Sequence, residues 1–84
     1  MIVVAIYLEP HGSTVEHSSQ VPILLLVTAG TGFVRIGGPS GETRPVTAGD
    51  AVLWPAHLDH TVWTEDESLE AILIDGPAER EQAS

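Results

Sequence analysis

No stretch of this chain carries a capped helical stripe. Its apolar residues fall instead in short runs, broken by clusters of Gly, Pro, Asp and Ser. Runs of this kind, rich in Val, Ile, Leu, Thr and Trp, suit the pleated backbone of half-buried strands. The spacing predicts strands near Ile2–Leu8, Thr14–Ser18, Ile23–Thr28, Thr31–Ile36, Thr43–Val46, Ala51–Trp54, His60–Thr64 and Leu69–Asp75. Turn residues separate them at Glu9–Gly12, Ala29-Gly30, Gly37–Gly41, Ala48–Asp50 and Glu65–Ser68. Many short strands at regular intervals indicate an all-β sandwich or barrel. Residues 1–76 read as one domain, with a polar tail over 77–84.

Two segments sharpen this expectation. Val21–Val27 is apolar on both faces, so one face meets the core and the other a second layer or a second subunit. Phe33–Ile36 and Thr43–Val46 flank a glycine-rich turn and read as a hairpin. Pro45 has no N–H for a ladder, which places its strand at an edge or at a bulge.

A chain of 84 residues holds one domain with a modest core. It has no cysteine, so neither disulfides nor thiolate metal sites supplement that core. Association into a homodimer is the expected supplement. The 12 acidic residues against 3 basic ones give a formal charge of −9, and lysine is absent. Such a surface repels phosphates, which argues against nucleic acid and anionic membranes as partners. The apolar runs Met1–Leu8 and Val21–Val27 are too short to span a bilayer, and the first lacks the basic lead of a signal peptide. A cytoplasmic protein is the expectation.

The most specific stretch is Gly49-Asp50-Ala51-Val52-Leu53-Trp54-Pro55-Ala56-His57-Leu58-Asp59-His60. It resembles the second conserved motif of the cupin superfamily (the type-2 conserved barrel), where a Gly-Asp turn enters a strand, a Pro ends it and a His follows five residues later. Gly49, Asp50, Pro55 and His60 fall at those positions, while His57 stands where many members carry glycine. Upstream, Ala29-Gly30-Thr31-Gly32-Phe33-Val34 is similar to the Gly-x-Gly hairpin that closes the first cupin motif. Counting back from Gly30 sets His17 at the first histidine of the family's His-x-His element, Ser19 at the second and Ile23 at the usual glutamate. The resemblance spans about Glu9 to Asp75 and implies a small cupin-type double-stranded β-helix, or jelly-roll barrel.

An intact cupin site resembles three histidines and a carboxylate around iron, manganese, nickel, copper or zinc, and catalytic metal sites usually need three protein ligands. Here two of the four positions persist, and Ile23 puts an apolar group where the anion would sit. His17 and His60, completed by His57 if its loop folds inward, form the candidate metal set for one divalent transition metal (Zn, Ni, Mn or Fe); His57 facing solvent is the simpler reading, and a metal-free barrel is equally compatible with the fold. Glu16, Ser19 and Gln20 are nearby substitutes. The candidate pocket comprises His17, Ser19, Ile23, Trp54, His60 and Val62. Strand alternation sends Val62 and Thr64 inward with His60, and Trp63 outward. Arg35 and Arg44 could meet an anionic ligand in the barrel, but pairing with surface carboxylates is the simpler reading.

The scaffold with a depleted metal set points to a barrel that binds a small molecule. The alternative is a metal-dependent enzyme of dioxygenase or sugar-isomerase type with His17 and His60 as ligands. The Ile23–Val27 run and the hairpin after it also look like the C-terminal cupin lobe of phosphomannose isomerases, which is not where their metal sits. No dinucleotide fingerprint, nucleophile elbow or His-Glu-x-x-His element occurs.

Overall fold

A computed structural model describes residues 2–76. Its elements are six strands: β1 (Ile2–Leu8), β2 (Ile23–Ile36), β3 (Glu42–Thr47), β4 (Ala51–Trp54), β5 (His60–Trp63) and β6 (Leu69–Asp75). Among the described residues there is no helix, and so none long and apolar enough to cross a membrane. The all-β jelly-roll expectation holds. The polar tail at 77–84 lies outside the described residues.

β2 organises the molecule because it belongs to both halves of the barrel. Its first part pairs with β6 on one side and β4 on the other, and β1 extends that sheet beyond β6. Its second part pairs with β3 on one side and β5 on the other. All of these pairings are antiparallel. Residues 13–17 add to the outer side of β5 through two isolated bridges, Ser13 to Trp63 and His17 to His60.

The expected turn at Ala29-Gly30 does not form: Ile23–Thr28 and Thr31–Ile36 are one strand. A bulge between Val27 and Ala29 and a φ of 84° at Gly30 bend it instead, so the chain passes from one sheet into the other without leaving its ladder. Glycine is required at the bend, since a Cβ there would run into the carbonyl of Ser68, where β6 begins. The expected strand at Thr14–Ser18 is likewise replaced. Thr14 Oγ1 accepts from the Val62 N–H at 3.1 Å, and Thr61 Oγ1 donates to the Thr14 carbonyl at 2.9 Å. Side-chain bonds thus stand in for part of the ladder. β3, which carries Pro45, pairs with β2 alone among the described strands, as the proline required.

Between the two halves lies the core. Leu25, Val27, Trp54, Leu69 and Ala71 from the first sheet meet Val34, Val46 and Val62 from the second. Ile6, Leu8, Ile23, Ile36, Val52 and Leu73 close around them. Replacing Gly30 by Ala forces a left-handed φ on an L-residue and a clash at Ser68. It should lower stability by about 2–4 kcal/mol, combining backbone strain with overpacking. Urea denaturation checks this, and Gly32 is the wrong control because its Cβ would also meet backbone, at the Trp63 carbonyl.

Candidate functional site

β4 and β5 reach the centre of the barrel through the loop that begins at Pro55, and each delivers one ring. Trp54, the last residue of β4, and His60, the first of β5, are both 2% exposed. Their rings stack at 4.1 Å between centroids, tilted by 10°. The His17 ring meets the edge of His60 at 4.9 Å and 61°. The backbone brings this pair together: the His60 N–H donates to the His17 carbonyl at 2.8 Å and the His17 N–H returns the bond at 3.2 Å.

The tautomer of His17 follows from its partner. A carbonyl only accepts, so Nδ1 is the donor in its 2.7 Å contact with the Val15 carbonyl, and in the neutral ring the lone pair is on Nε2. His60 is different. Neither ring nitrogen finds a hydrogen-bond partner among the described residues, nor does Trp54 Nε1. Three buried polar atoms therefore go unsatisfied within one stacked pair, where each such group costs stability.

The predicted residues divide into three groups. His17, His60 and Trp54 come together. Ile23 is the register partner of Trp54 and packs against the core. Val62 is fully buried in the core and offers no free surface to a ligand. Ser19 Oγ accepts from the Val21 N–H at 3.2 Å, and the Ser19 carbonyl accepts from the His57 N–H at 2.7 Å, so it braces the neighbouring loops.

His57 takes the glycine-like position with a φ of 71° and an exposed side chain. The three-imidazole set does not assemble: no three His, Asp or Glu side chains converge on a metal position among the described residues. Glu16 is also withdrawn, since both its oxygens bind Arg35, at 3.0 and 3.2 Å. That guanidinium lies 5.7 Å over Trp63, which itself stacks on Phe33 at 5.8 Å on the outer side of β5. Two imidazoles thus fit a metal and the remaining ligands do not, so no chemical step is routed through one.

A cavity of about 530 Å³ lies between β3 and β4. Val34, Ile36, Val46 and Val52 form its apolar wall, and Glu42, Arg44 and Asp50 its polar rim. Ile36 is the register partner of His60, and Val52 precedes Trp54 by two residues on the same face, so the stack abuts the cavity without lining it. Arg44 bonds Glu42 at 3.4 Å and remains largely exposed. The rim residues are absent from the sequence-derived pocket, yet alternation along β3 carried the signal, since Glu42, Arg44 and Val46 share one face.

Burial pushes the His60 pKa below 6.5, and the neighbouring His17 adds to the depression; weaker opposing pulls come from the Leu58 backbone and the Asp59 and Glu16 carboxylates. As pH falls through 6.5 the unfolded chain protonates at His60 while the folded chain does not. The unfolded state then holds more protons, and stability declines. For one site the slope approaches about 1.4 kcal/mol per pH unit. His60→Phe keeps a ring against Trp54 and removes this component. Urea melts above and below pH 6.5 should show a larger acid loss in the wild type than in the variant; equal losses would contradict the assignment.

The cupin domain profile matches residues 5–75. Among solved structures, a cupin-like protein of Thermotoga maritima is 32% identical with a TM-score of 0.81, over 88% of this chain and 55% of that one. A predicted oxalate decarboxylase of the same organism gives 18% and 0.79, over 88% and 64%. The polyketide cyclase RemF of Streptomyces resistomycificus gives 20% and 0.78, over 88% and 52%. The chain therefore spans only about half to two thirds of these relatives, and the latter two share the fold alone. No curated protein matches the sequence. On the profile match, the Thermotoga relative and the barrel itself, the chain belongs to the cupin family.

Proposed function

We propose that this chain is a small-molecule-binding cupin module whose ligand enters between β3 and β4. The observation that carries the reading is the 530 Å³ cavity there, with aliphatic walls and a charged rim. That size and lining suit a compact organic ligand, with the walls supplying burial and the rim supplying orientation. The Trp54–His60 stack lies behind this wall, next to Ile36 and Val52, and does not itself line the cavity.

A screen by thermal shift against organic acids, sugars and aromatics tests the proposal. A ligand at about a hundredfold its Kd adds about 2.7 kcal/mol to the folded state. In a domain of this size that raises Tm by roughly 10 °C or more. Val52→Trp pushes an indole from the wall into the cavity and should abolish or sharply weaken the shift, with circular dichroism showing that the variant is folded. A hit unaffected by that substitution would place the ligand elsewhere, and a broad screen without hits would count against the proposal.

The metal-dependent alternative draws on the free Nε2 of His17 and the bare nitrogens of His60. A catalytic metal in this position would act as a Lewis acid toward substrate oxygen. The two readings separate at His17, whose side chain is exposed and absent from the cavity wall. His17→Ala should leave ligand affinity within about threefold, less than the energy of one net hydrogen bond, and a chelator should have no effect. Loss of both ligand binding and stoichiometric zinc or nickel uptake in His17→Ala would favour the metal reading.

A further inference from the structure

The mouth of the cavity between β3 and β4 is charged unequally. Glu42 and Arg44 stand on its β3 side, and Asp50 stands at the turn into β4. Two carboxylates thus accompany one guanidinium, in a chain whose formal charge is already −9. A cleft with apolar walls concentrates such a field, so this mouth attracts cations and repels anions. The carboxylate oxygens are also incompletely used. Asp50 Oδ2 accepts from the Thr47 N–H at 2.8 Å, which fixes the group, while Oδ1 has no hydrogen bond among the described residues. Glu42 engages Arg44 through Oε1 alone, in a long contact of 3.4 Å, and Oε2 likewise has no partner among them.

We infer that the cavity takes a primary or secondary ammonium ion carrying a compact apolar body. The inference rests on the ligand-binding reading of this cavity and adds the class of ligand. Val34, Ile36, Val46 and Val52 cover the body, and the unused oxygens of Asp50 and Glu42 accept its N–H donors. Bonds of this kind, charged on both sides, are the strong ones.

Three other ligand classes fit less well. An organic anion, which Arg44 by itself would suit, has to pass two carboxylates and displace Glu42. A bare divalent metal needs more ligands than these two side chains offer, and no third acid or imidazole joins them among the described residues. A quaternary ammonium has no N–H to donate and is typically held by an aromatic cage, whereas no aromatic side chain lines this cavity.

Methyl NMR titration of the full chain with probes of one shape tests the inference: benzylammonium, benzyltrimethylammonium, benzyl alcohol and phenylacetate. Shifts at the Val34, Val46 and Val52 methyls report occupancy of the cavity. Benzylammonium should bind at least about threefold more tightly than the alcohol or the quaternary ion, with phenylacetate weakest. Added salt, which shortens the Debye length from about 30 Å at 0.01 M to about 3 Å at 1 M, should narrow that gap. Arg44→Gln removes the cation from the mouth and should tighten benzylammonium by about twofold to fivefold while leaving the alcohol unchanged. Glu42→Gln should weaken it by a similar factor. Both side chains are exposed, and circular dichroism confirms that each variant is folded. Cavity shifts led by phenylacetate, the alcohol or the quaternary ion would overturn the ammonium class and leave the cavity a binding site. Loss of benzylammonium binding in Arg44→Gln would do the same. Silence at these methyls with every probe would also overturn the inference, and the thermal-shift screen then decides separately whether the cavity binds at all.

Discussion

The structure depends on β2 being shared. A single strand from Ile23 to Ile36 serves as the inner member of both sheets, and each of β3, β4, β5 and β6 pairs with it. Sheets joined by an ordinary hairpin would have free edges at the join. Here the backbone turns the corner at the bulge and at Gly30 while its hydrogen bonds continue on both sides. That arrangement fixes the opposition of Leu25 and Val27 to Val34, and so fixes the position of the core. It also holds the cavity wall, because Val34 and Ile36 lie on the half of β2 beyond the bend. Small domains have little apolar surface to bury, and a strand buried in two sheets uses its residues twice over.

Much of the barrel was legible from sequence, and the reason is period. Seven of the eight expected segments fall on observed strands, two of them on β2, because alternation with turn residues is a local signal. The bend at Gly30 was not legible. Gly30 and Gly32 read as turn residues, since nothing local distinguishes a glycine that ends a strand from one that bends it. What decides is the approach of Ser68, thirty-eight residues later in the chain. Thr14–Ser18 failed for a related reason, in that its pairing is carried by threonine hydroxyls rather than by a ladder.

The site was legible in part. The motif spacing identified His17 and His60, which do lie together; Trp54 was a pocket candidate whose direction the sequence left open, and it stacks on His60. Spacing alone left open where His57 would point. Its left-handed backbone answers that, because the position serves loop geometry, with the N–H engaged by Ser19. The cavity rim was missed because Arg44 was read as the partner of a surface carboxylate. It does pair with one, Glu42 at 3.4 Å, but on an edge strand where surface and pocket coincide. The metal-like remnant and the cavity are therefore neighbours rather than one site.

β2 also sets the order in which this fold can be completed during synthesis. Every strand that pairs with it lies later in the chain, and the last of them ends at Asp75. As the polypeptide leaves the ribosome, one edge of the Ile-Leu-Leu-Leu-Val run can pair once β4 has emerged, but the other must wait for β6, when nearly all of the domain has been made. Non-local pairing of this kind is slow to form, and an exposed apolar strand is prone to the wrong partner meanwhile. The shared strand that joins the two sheets thus also leaves an apolar edge open until the last strand of the domain arrives.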